Sequence, residues 1–125
     1  MLPMHQMVKA RKAIESLYDG TCTITEHQKI KKENKSTAFV ESVVVENQPC
    51  RISFKTVNNT TSTETGASAL VQVVKLFIAP EIKVKPGSKI SVTQNTVTTE
   101  YKNSGEPAYY NTHQEIILEL FKGWS

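Results

Sequence analysis

The stretch Leu70–Pro80, LVQVVKLFIAP, is apolar on both phases of an extended chain. Leu70, Val74, Leu76 and Ile78 share one face, and Val71, Val73 and Phe77 share the other. A strand of that kind is not stable with one side in water, so it requires a covering layer on each face. The rest of the chain offers one candidate for the second layer. From Met4 to Tyr18 the residues Met7, Ala10, Ile14 and Leu17 recur at intervals of three and four, while Lys9, Arg11, Lys12 and Glu15 point elsewhere. This predicts one amphipathic helix, stopped by Asp19-Gly20 and packed over the doubly apolar strand. Ile14→Ala or Leu17→Ala is then expected to cost about 2–5 kcal/mol.

After Gly20 the period changes from helical to alternating. TCTITE places Cys22 and Ile24 on one face and Thr21, Thr23 and Thr25 on the other, a half-buried strand. The charged run Lys29–Ser36 reads as a hairpin end. The β-branched AFVESVVVE follows it, and then CRISF, for which Pro49 stands at a strand start, where its missing N–H costs least. Pro86-Gly87 suits a type II turn, and Asn95, which tolerates the left-handed conformation, joins KISVTQ to TVTTEY as a hairpin. In the last segment, HQEIILELFKGWS, Ile116, Leu118 and Leu120 alternate with Glu115, Ile117 and Glu119. Short strands spaced by turn signals, with one helix at the start, predict an all-β fold: a small antiparallel β-barrel of about six to seven strands. We expect one domain over 1–125, with the helix in 1–19, the barrel in 20–125 and a flexible insert at 56–68.

Composition narrows the function classes. Fifteen Lys+Arg against 12 Asp+Glu give a net charge of +3, short of a nucleic-acid signature. Neither a signal-peptide pattern nor a window of roughly 20 apolar residues is present in the sequence, so the expectation is a non-exported protein that does not span a membrane. Cys22 and Cys50 belong to no CxxC pair and are expected as buried reduced thiols, with a disulfide as the lesser alternative.

Catalytic signals are absent from the sequence. His5, His27 and His113 lack the spacing of zinc ligands, and no GxSxG, P-loop or GxGxxG occurs. We therefore expect no enzyme, no metal and no cofactor. A binding module is the alternative to a structural role: a monomeric nucleic-acid-binding β-barrel would use aromatic platforms, with Phe39, Phe54, Phe77, Tyr101, Tyr109 and Tyr110 as candidates. Phe54 and Phe77 fall on predicted core phases, so packing is the simpler use of both.

Between CRISF and LVQVV lies the polar insert Thr56–Ser68, long for a connection between neighbouring strands. It is rich in threonine rather than in Gly and Ser, polar enough for water and β-branched enough to pair as a strand. From these residues alone, a loop without a role and a functional loop both remain open.

The segments LYDGTCTI, ENQPCRISF, KLFIAPEIKVKPGSKISVTQN and YKNSGEPAYYNTHQEIILELFKGW occur in this order over nearly the whole chain. Together they resemble the head-completion proteins of long-tailed bacteriophages and of defective prophages of Gram-positive bacteria, more narrowly the stopper of the head-to-tail connector. The resemblance implies a small β-barrel that is a monomer when free and joins a ring beneath the portal and adaptor proteins, above a tail-completion protein. It places the protein at the virion head-to-tail interface, and in the host cytoplasm during assembly. DNA would pass through the channel without sequence-specific binding, and a long loop would close it. The loop would be drawn from the insert: Thr56, Asn58, Asn59, Thr60, Thr61, Ser62, Thr63, Glu64 and Thr65. Lys9, Arg11 and Lys12 on the helix, with Trp124 near the C-terminus, are the expected partner contacts.

Overall fold

The computed structural model describes residues 4–31, 33, 36–59 and 69–124. One helix, α1 (Met4–Glu15), precedes seven strands: β1 (Gly20–Lys31), β2 (Thr37–Asn59), β3 (Ala69–Ile78), β4 (Lys89–Gln94), β5 (Val97–Asn103), β6 (Ala108–Tyr109) and β7 (Gln114–Leu120). All strand pairings are antiparallel, in the order β3-β2-β1-β4-β5-β7-β6. An additional β3–β7 ladder closes the sheet on itself. Closure removes the two edges that an open sheet would expose, which is the barrel expected from the sequence.

Each strand of the ring contributes to one core. Cys22 and Ile24 come from β1, Cys50 and Ile52 from β2, and Leu76 and Ile78 from β3. Opposite them lie Ile90 and Val92, Tyr101, and Ile116 with Leu118. Two buried amides tie irregular segments to this wall. Asn103 donates through Nδ2 to the carbonyls of Val84 and Lys85, and its Oδ1 accepts the Gly105 N–H. Gln114 donates to the carbonyls of Ala79 and Ile82.

The turns follow the chemistry of their residues. Gly87 has φ 82°, and the Ser88 N–H donates to the Lys85 carbonyl at 3.1 Å, as a Pro-Gly turn requires. At the β4–β5 hairpin both Asn95 (φ 53°) and Thr96 (φ 63°) are left-handed. Asn accepts this conformation, but a β-branched residue does so at a cost of roughly 1–2 kcal/mol. Thr96→Gly is therefore expected to raise stability by about 1 kcal/mol despite glycine's extra unfolded-state entropy, measured as a higher urea midpoint with an unchanged slope.

Three sequence expectations are corrected. First, β2 does not start at Pro49 but runs through it as one strand. Its first part, up to Cys50, pairs with β1, and its second part, from Cys50, pairs with β3. Pro49 sits at this handover, one residue short of the last β2–β3 rung, Cys50↔Ile78, so its missing N–H breaks no pairing with β3. Two register shifts relative to β1 and a left-handed Asn47 precede it and bend the strand from one partner to the other.

Second, α1 does not form a covering layer: no residue of it is buried, and Leu17, just after it, is 60% exposed. Contact with the barrel comes from Arg11 to Tyr18. Arg11 pairs with Glu81, the Leu17 carbonyl accepts from Arg51 at 3.2 Å, and Ile14, Leu17 and Tyr18 line a shallow apolar pocket with Ser53, Phe77 and His113. The outer face of β3 is instead half-buried at Val73 and Phe77 and exposed at Val71, so one core face suffices for this strand. Leu17→Ala is accordingly expected to cost less than about 1 kcal/mol, read by urea unfolding, and not the 2–5 kcal/mol of a core leucine.

Third, the insert is shorter than expected. Residues Thr56 to Asn59 belong to β2 and pair with Gln72 to Ala69 of β3. Thr56 and Val57, both β-branched, favour this extension of the ladder, and the pairing carries on through Asn58 and Asn59.

Candidate functional site

Two hairpins run beyond the closed barrel. The first arises because β1 pairs with β4 only from Gly20 to Thr25 but continues with β2 as far as Lys31. The second arises because β3 pairs with β7 only from Val74 to Ile78, whereas its ladder with β2 extends to Asn59↔Ala69. Each overhang is a two-stranded arm beyond the closed ring. Ile30, Phe39 and Val40 are exposed on the first arm and Val43 and Val44 at its base, while Val71 is exposed on the second arm and Phe54 at its base. Phe54 is corrected from core to surface: it keeps the inward phase of Ile52 but stands at the rim of the barrel, on the last closed rung, where its partner Val74 pairs with Leu118 of β7.

The base of the first arm is held by a ladder of rings. Phe39 stacks on His27 at 4.9 Å between centroids, and His27 on Trp124 at 4.7 Å. Phe121 meets Trp124 edge-on at 5.0 Å. The Trp124 indole N–H donates to Glu41 Oε1 at 2.8 Å, and Lys89 lies 3.5 Å from both Glu41 and Glu100. The indole N–H first, and then the Lys89 ammonium, hold the Glu41 carboxyl below the usual range. Trp124, expected as a partner contact, thus acts as an internal clasp between the C-terminal segment and the arm.

The other expected contacts divide. Lys9 and Lys12 are exposed on α1. Arg11 is engaged by Glu15 at 2.7 Å and by Glu81. Of the expected channel-loop residues, Thr56 is an exposed position of β2, and Asn58 and Asn59 are strand positions at the end of the second arm. Thr60, Thr61, Ser62, Thr63, Glu64 and Thr65 lie outside the described residues.

The remaining aromatic candidates are mostly committed to packing. Tyr101 is in the core, and Phe77 lies 5.7 Å from His113. Tyr110 stacks on His113 at 4.9 Å, while Tyr109 is exposed. His113 also bridges Thr112 and Glu115, and Lys75 reaches Glu115 at 3.2 Å. Burial raises the Glu115 carboxyl, but His113 and Lys75 outweigh it and leave the group below its ordinary value. Among the described residues no cluster of His, Cys, Asp or Glu could hold a metal ion. Cys22 and Cys50 are free and buried, and the Cys22 thiol is pushed up by Cys50 first and then by burial, an inert pair.

The Tyr18 hydroxyl is buried without a hydrogen-bond partner, and burial pushes its pKa up to about 12. The neutral phenol is the form the fold prefers. Its contribution is complete below the unfolded pKa of about 10 and is lost as pH rises towards about 12. Tyr18→Phe is expected to be neutral in stability at pH 7 and to remove one late step from an ultraviolet pH titration.

Sequence reasoning did not find the cleft between the first arm and the barrel. Its volume is about 610 Å³, and its lining includes Glu26, His27, Lys29, Lys85, Lys102 and Trp124. These residues come from four separate segments, so no local spacing announces them.

No protein-family model matches the chain, and no curated protein matches it. Among solved structures the chain is similar to the phage-like element PBSX protein xkdH from Bacillus subtilis, with 11% sequence identity and a TM-score of 0.48. The superposition covers 80% of this chain and 91% of that one.

Proposed function

We propose that the protein is a structural subunit of a phage or prophage head-to-tail connector, a stopper that joins a ring below the portal and adaptor and closes the DNA channel with a loop. The observation that carries this reading is the second arm. A closed barrel provides a rigid body, and the β2–β3 ladder runs beyond that body as a paired stalk ending at Asn59 and Ala69. Such a stalk holds a loop at a fixed reach better than a flexible tether does, because pairing restricts the ends of the loop. The order of segments that resembles the head-completion proteins supports the same assignment.

In this reading the protein carries no catalytic site and no cofactor. It is free as a monomer in the host cytoplasm and is built into the virion between the portal–adaptor assembly and the tail-completion protein. Exposed side chains of the arms and their bases, such as Phe39, Val43 and Phe54, are the apolar area that neighbouring copies in the ring cover.

Mixing the protein with assembled portal–adaptor complexes and imaging them by electron microscopy tests the assignment. A ring added beneath the adaptor is the expected result. Failure to bind, together with tight and steeply salt-dependent binding to short single-stranded DNA, would favour the nucleic-acid-binding module instead.

A further inference from the structure

β4 lies beside β1 as far as the pair Thr25↔Lys89 and then leaves it through the Lys85–Ser88 turn. From Glu26 to Lys31, β1 is paired on its other side with β2. On the side that β4 has left, it has no strand partner among the described residues. The cleft described above opens there: Glu26, His27, Gln28 and Lys29 of β1 form one wall, and Lys85–Ser88, Lys102 and Trp124 form the others. A strand edge with alternating N–H and C=O groups therefore borders a groove of about 610 Å³, in the space that a continuation of β4 would occupy.

We infer that this edge is a docking site for an extended acidic segment of a partner polypeptide, which adds as a strand beside β1. Two observations select the ligand. The edge presents donors and acceptors in alternation, and a peptide backbone matches both, whereas a phosphodiester backbone supplies acceptors alone. Lys29, Lys85 and Lys102 face the groove against the single carboxylate of Glu26. Glu26 is 13% exposed and already meets Lys85 at 3.7 Å, and Lys102 meets Glu119 at 3.6 Å. Lys29 has no ion-pair partner among the described residues, which leaves it for an incoming carboxylate. Lysine on an open edge also discourages indiscriminate pairing, so the edge admits strands of opposite charge. The His27–Trp124 stack fixes the arm at the groove and holds the edge in place before the ligand arrives. The inference is independent of the connector assignment.

Titration of the isotope-labelled full chain with the capped peptide TEVEVET, followed by NMR, tests it. Amide shifts and slowed exchange confined to Glu26–Lys31 and the opposing groove are expected. The basic analogue TKVKVKT should bind at least about tenfold more weakly, and Lys29→Glu should reverse that preference, because the charge contrast sets the selectivity. A peptide N-methylated along one edge should not bind. The inference is overturned by an absence of shifts at millimolar peptide, by equal binding of the two peptides, or by retained binding of the N-methylated form. It is likewise overturned by a deoxythymidine oligonucleotide that competes for the same amides more tightly, or by peptide-independent, concentration-dependent shifts showing a second copy of the chain on this edge.

Discussion

Leu76→Ala is expected to lower the free energy of unfolding by about 2–5 kcal/mol, whereas Val71→Ala, five positions earlier on the same strand, should change it by no more than about 0.5 kcal/mol. Leu76 is fully buried and stands between Ile52 of β2 and Ile116 of β7, at the seam where β3 closes the ring. Both flanking positions are held by ladders on each side, so the wall cannot collapse into the cavity that alanine leaves. Val71 is 40% exposed on the second arm, beyond the reach of β7. Urea unfolding of the two variants measures the contrast directly. Similar losses for both would mean that the outer face of β3 is covered as well, as the run of apolar residues in LVQVVKLFIAP first suggests.

That run shows how far a sequence of this kind can be read. The alternation in TCTITE and HQEIILEL identifies Cys22, Ile24, Ile116 and Leu118 as inward, and all four are in the core. Pro86-Gly87 and Asn95 mark their turns because the required φ values restrict the residues that fit. The barrel class follows from these local signals. What periodicity cannot reveal is where a partner strand stops. Phe54 continues the inward phase of Ile52, yet it is exposed because β7 ends its pairing with β3 at Val74. In the same way, Pro49 is tolerated within β2 because two different neighbours meet there.

The helix stands where its periodicity puts it, but its depth of packing is not legible for a related reason. An apolar stripe on Met4–Glu15 shows that the helix can pack, not how deeply, and the barrel fills its own core without it. The Phe39–His27–Trp124 stack and the lysine-lined cleft join residues distant along the chain, so neither leaves a local pattern. Of the expected partner contacts, the exposed Lys9 and Lys12 were legible from helical periodicity. The engagement of Arg11 with Glu81 and of Trp124 with Glu41 was not.

The largest functional effect is expected from the segment at the tip of the second arm. Replacing residues 60–68 with a short Gly-containing turn leaves the β2–β3 ladder in place up to Asn59↔Ala69 and touches no core residue. Since shortening a connection changes closure entropy only slightly, the melting temperature should stay nearly constant. Ring formation should persist as well, because the barrel and the first arm are untouched. If the tip closes the channel, the loss appears at one step alone, the retention of DNA between packaging and tail attachment. The decisive measurement is therefore the DNA content of filled heads assembled with the shortened variant in place of the parent. The account predicts normal rings and heads that lose their DNA before tails attach, and heads that keep packaged DNA as well as the parent does would contradict it.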